Sequence, residues 1–88
     1  MAMTENVPQE VLDVLDRIIQ DDSVPRNIRK TAVEIKESLL HGENTLAVRA
    51  SSAISILEDI ASDPNLPMHV RTLIWNVSSQ LERISVDK

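Results

Sequence analysis

Val14-Leu-Asp-Arg-Ile-Ile-Gln-Asp-Asp-Ser-Val-Pro-Arg-Asn-Ile-Arg29 and Ile56-Leu-Glu-Asp-Ile-Ala-Ser-Asp-Pro-Asn-Leu-Pro-Met-His-Val-Arg71 are one pattern written twice, at a constant offset of 42 residues. The register continues without a gap to Leu39 and Leu81. Leu15 meets Leu57, Ile18 meets Ile60, Asp21 meets Asp63, Pro25 meets Pro67 and Arg29 meets Arg71. Conservative pairs fall between them: Val14/Ile56, Asp16/Glu58, Val24/Leu66, Ile28/Val70 and Ile35/Val77. A period of this size is what a stacked helical hairpin leaves in a sequence.

Outward from the repeat, four segments carry helical spacing. Val11, Leu12, Leu15, Ile18 and Ile19 recur at three- and four-residue steps after Pro8, which suits a helix start because it has no N–H to lose there. Ile28, Ala32, Ile35 and Leu39 form the second stripe, and Gly42 is expected to end it in the left-handed conformation. Asn44 is the expected cap of the third, which runs Leu46, Ala50, Ala53, Leu57 and Ile60, flanked by Ala47, Ile54 and Ala61. Asp63-Pro64 stops it, since a residue before proline avoids the helical region. The fourth opens at Pro67 and carries Val70, Ile74, Val77, Leu81 and Ile84 before a polar tail at Ser85 to Lys88. Short connections make successive helices antiparallel neighbours. The expectation is an all-α, single-domain, up-and-down four-helix bundle made of hairpins over about 8–41 and 44–85. Leu15, Ile18, Ile28, Ile35, Ile54, Leu57, Ile60, Ile74, Val77 and Leu81 should be almost fully buried.

Composition agrees. The chain has 88 residues, room for one domain, and Trp75 is its only aromatic residue, so the core must be aliphatic. With one Gly and four Pro, all at helix boundaries, it is built for helices. There is no Cys, so no disulfide framework and no thiolate metal site. No signal-like start or membrane-length apolar run is seen, and a cytoplasmic location is expected. The net charge of −5 weighs against a general nucleic-acid binder. Acidic and basic segments alternate along the chain, which favours the pairing within each hairpin at a small energy per surface pair.

The repeated unit Asp-x-x-x-Pro-x-x-[Ile/Val]-Arg predicts its own structure. Asp21 and Asp63 end one helix, Pro25 and Pro67 start the next, and Arg29 and Arg71 are expected to reach back to those carboxylates. An anion clamp by the two arginines is the functional alternative. The corner resembles the turn of HEAT-type repeats, which implies an adaptor role in protein binding.

A second resemblance covers nearly the whole chain. Asp22-Ser-Val-Pro-Arg-Asn-Ile-Arg29, Leu46-Ala-Val-Arg-Ala50, Ala53-Ile-Ser-Ile-Leu57, Asp63-Pro-Asn-Leu-Pro67 and Arg71-Thr-Leu-Ile-Trp-Asn76 resemble, in order, an uncharacterised family of small archaeal proteins with the placeholder number 0147. The resemblance implies a small helical domain in an archaeal cytoplasm, and it carries no activity, cofactor or catalytic residue.

Signals for catalysis are nearly absent, and neither an enzymatic activity nor a cofactor or metal is expected. His41 and His69 lack a neighbouring pattern of ligands and are expected to be ordinary surface residues. Neither a phosphate loop nor a nucleophile elbow is present. Trp75 falls about 140° from the buried stripe centred on Val70, among Arg71, Ser78 and Glu82. It either marks an interface, with its repeat counterpart Val33, or is covered by the bundle or by the Arg71 side chain. Trp75, Val33 and Arg71 are therefore the candidate interface residues, for a protein partner or a second copy of the chain. Arg26, Arg29 and Lys30 are the candidate nucleic-acid contact of a less favoured reading, and no membrane contact is expected.

Overall fold

A computed structural model describes the backbone of residues 7–86 and the side chains of residues 7–84. Among them are four helices: α1 (Gln9–Gln20), α2 (Arg26–His41), α3 (Leu46–Ala61) and α4 (Met68–Val86). α1 packs on α2, α2 on α3, α3 on α4 and α4 back on α1, and among the described residues the backbones of the diagonal pairs stay apart. The cross-section of 21 × 19 Å is two helix diameters each way. This is the four-helix bundle that the repeat implied, closed into a ring with the repeated hairpins α1–α2 and α3–α4 on opposite sides.

The core is aliphatic throughout. Leu15, Ile18, Ile28, Ile35, Leu57, Ile74, Val77 and Leu81 are buried, together with Val24 and Leu66 from the two hairpin corners. Those corner residues are repeat partners, and each plugs the end of the core its hairpin closes. Ile54 and Ile60 are only half-buried. α3 is apolar on much of its circumference, and its inward line runs through Leu46, Ala50, Ala53 and Leu57, which leaves Ile54 and Ile60 on the flanks.

Three boundaries differ from the sequence expectation. Gly42 has φ −66° and ψ 158°, extended rather than left-handed. The residue is small for another reason: a Cβ there would lie 2.4 Å from Arg49 Cδ and 2.5 Å from the Ser38 carbonyl oxygen. The cap of α3 is Thr45 rather than Asn44; its hydroxyl accepts from the Val48 N–H, satisfying a free donor of the first turn. α4 also continues as helix to Val86, through the start of the expected tail.

Each hairpin corner is a backbone turn locked by its aspartate. Val24 N–H donates to the Asp21 carbonyl and Leu66 N–H to that of Asp63. The Asp21 carboxylate accepts from Ser23 N–H at 2.9 Å, and that of Asp63 from Asn65 N–H at 2.9 Å. The two corners are thus the same turn made twice, as the repeat requires, with each aspartate bonding the amide two residues on.

Candidate functional site

The arginines do not do what the spacing suggested. Arg29 donates through Nε to the Val24 carbonyl at 3.1 Å, and its closest carboxylate is Asp22 at 3.8 Å rather than Asp21. Arg71 donates through Nη2 to the Asp63 carbonyl at 2.8 Å, bonding the backbone of that residue. The expected Asp21–Arg29 and Asp63–Arg71 ion pairs are replaced by bonds to carbonyls, because each aspartate is already turned towards its own corner amide. A third arginine plays the same part. Arg49 donates through Nε to the Asn44 carbonyl at 2.8 Å and through Nη1 to the Ser38 and Leu39 carbonyls. Arg29, Arg49 and Arg71 are each the fourth residue of their helix, folded back over the connection before it.

These bonds redistribute the candidate residues. Of the basic cluster, Arg26 and Lys30 are exposed one turn apart on α2, while Arg29 is half-buried at the corner. Lys36 is held by Asp16 of α1 at 2.7 Å. Arg71, drawn to its corner, does not line the groove beside Trp75.

Trp75 is 57% exposed and Val33 41%. Trp75 lines a groove of about 450 Å³ between α3 and α4, opposite Glu58, Ala61 and Ser62 and alongside Ser78 and Glu82. Val33 lies on the flank of α2 that carries Lys36 and turns towards α1. The structure therefore places the two repeat partners on opposite faces of the ring rather than in one patch. Val33 shares its flank with Leu40, one heptad on, which is also 41% exposed.

The profile of the uncharacterised protein family UPF0147 matches residues 1–84. The chain belongs to that family. A UPF0147 protein of Archaeoglobus fulgidus is 59% identical over 86 residues, 98% of both chains. One from Methanosarcina acetivorans is 58% identical, over 93% of this chain and 84% of its relative. A crystal structure of a UPF0147 protein from Thermoplasma acidophilum superposes with a TM-score of 0.82 at 39% identity, covering 88% of this chain and 91% of the other. A second solved structure, of a protein of unknown function, superposes with a TM-score of 0.80 at 40% identity over 99% of both chains. The UPF0147 fold is thus a four-helix bundle of duplicated hairpins, and these relatives are described without an activity.

One constellation in this UPF0147 chain escaped the sequence reading. His69, in the first turn of α4, lies with Nε2 2.9 Å from Ser23 Oγ and 3.3 Å from the Asp21 carboxylate. Ser23 Oγ gives its proton to Asp21 at 2.7 Å, so the imidazole is the donor to Ser23 and carries a proton on Nε2. The Ser23 hydroxyl and amide, and then His69, hold the Asp21 carboxyl below its ordinary range. The same ring nitrogen faces both the hydroxyl and the carboxylate, so this is not the relay in which imidazole separates a nucleophile from an acid. It ties the α1–α2 corner to the start of α4 across 46 residues, a distance that sequence spacing does not span. His41 is exposed, 3.9 Å from Glu37 on its own helix. Among the described residues no group of three or more His, Cys, Asp or Glu is placed to hold a metal, and no helix is long and apolar enough to cross a membrane.

Proposed function

We propose that this UPF0147 protein is a small non-enzymatic interaction module whose contact surface is the α3–α4 groove around Trp75. The observation that carries this reading is the exposed indole. The one tryptophan of the chain is more than half exposed in a groove, while the side chains that fill the core are aliphatic. Large exposed aromatics are costly to leave wet and are over-represented at the energetic centres of interfaces. Val33 and Leu40 offer a second, smaller apolar point on the opposite face.

Affinity capture from native archaeal lysate with wild type and Trp75→Ala tests the reading. A protein retained by the wild type and lost with the variant is the expected result; the same proteins retained by both would remove Trp75 from the interface. The second reading, contact with nucleic acid, rests on the exposed pair Arg26 and Lys30. It requires measurable binding to a duplex or single strand at low salt that falls steeply as salt is added. Absence of binding at low salt removes it.

A further inference from the structure

The α3–α4 groove is electrically one-sided. Glu58 from α3 and Glu82 from α4 both line it, and no basic residue among those described does. α3 also ends there, at Ala61, with no base in its last turn. Its carbonyl end, the negative pole of the helix, therefore meets two acids, Glu58 and Asp59, in that same turn. Acids at a helix C-terminus run against the helix's own field. Local rules of this kind are broken most often where a site needs them broken.

An indole, two carboxylates and a helix C-terminus converge on one chemistry. An aromatic face attracts cations through its quadrupole, tryptophan most strongly. The carboxylates accept the N–H groups that such a cation presents, and the hydroxyls of Ser78 and Ser79 at the groove wall can accept more. We propose that the groove receives a lysine or arginine side chain from a basic segment of a partner protein, seated against Trp75 between Glu58 and Glu82. This rests on the reading of Trp75 as a contact surface and supplies the chemistry of its partner. A phosphate backbone is excluded from the groove by the same charges. A second copy of the chain, itself at −5, is a poorer match than a basic segment.

The test uses the full chain and three short capped peptides: one rich in Lys and Arg, one with Glu in their place, and one uncharged and leucine-rich. Trp75 emission reports binding directly, since the chain has no other Trp and no Tyr. The basic peptide should shift the emission saturably, more weakly as salt rises, and Glu58→Gln should weaken it about tenfold without loss of helix signal. Calorimetry with Trp75→Leu, where the optical signal is gone, should show a similar loss. Equal affinity of the basic peptide for wild type and Glu58→Gln, or tighter binding of the acidic peptide, would overturn the inference. Preference for the uncharged peptide, or concentration-dependent self-association that buries Trp75, would overturn it too but leave Trp75 as a contact surface. If no peptide moves the emission and the chain stays monomeric at high concentration, both ideas fall together.

Discussion

Gly42 and Arg49 make a single contact that decides how α2 is joined to α3. The glycine's φ and ψ are open to any residue, so a substitution there is limited by space and not by backbone strain. The space is taken by the Arg49 stem and by a backbone carbonyl that cannot move without disturbing the end of α2. Gly42→Ala should therefore destabilise the protein by about 1–3 kcal/mol, the cost of overpacking a close contact. A denaturant midpoint equal to that of the wild type would show that both Arg49 and the end of α2 give way freely. The sequence named Arg29 and Arg71 as equivalent, and they are equivalent in position. Their partners were not legible, because a guanidinium four residues into a helix reaches a carbonyl of the connection as easily as a carboxylate. Arg49 went unnoticed since it stands outside the repeat register, where its partner is Val7. Counting from helix starts instead of from the repeat would have found it.

At the scale of the element, α3 tests how far periodicity can be trusted. The α2 stripe pointed to its buried residues directly, Ile28, Ala32, Ile35 and Leu39, whereas the α1 stripe left out the buried Val14 and the α4 stripe took in Ile84, which is half-buried. α3 has apolar residues on its flanks as well, so the pattern fixed its centre and not its edges. Leu57, on the centre line and 2% exposed, should cost about 2–5 kcal/mol when cut to Ala. Ile54→Ala, on the flank, should cost clearly less, and parity between the two in equilibrium unfolding would mean the helix is rotated from its described setting. Trp75 was placed off its stripe by the same geometry, and it lies there. The contact that tethers Asp21 and Ser23 to His69 lies beyond such reasoning, because no period connects the end of α1 with the first turn of α4.

For the whole molecule, the division of labour at the corners sets the response to acid. Arg29, Arg49 and Arg71 hold carbonyls, which do not titrate, so falling pH leaves these bonds in place. Asp21 is different: its carboxyl is held low, chiefly by Ser23 and then by His69. A lowered folded value means the stabilisation is complete above the unfolded carboxyl's pKa of about 3.9 and disappears as pH falls through the folded one. Asp21→Asn should therefore be less stable than the wild type at neutral pH and approach it at the acid end. A constant difference between the two chains from pH 7 down to pH 2 would show that the carboxylate's charge plays no part.

The duplicated hairpin also says how the molecule can be divided. Each half alone carries a long apolar face and a complete corner, and two copies of such a half would close the same ring of four helices as a symmetric dimer. Everything the repeat specifies would survive in that dimer. Gly42 and Arg49 would not, because their repeat counterparts are Ile84 and Val7. They belong to the α2–α3 connection, the one part of the ring that such a dimer would lack. Cut at that connection, the two hairpins should still find each other.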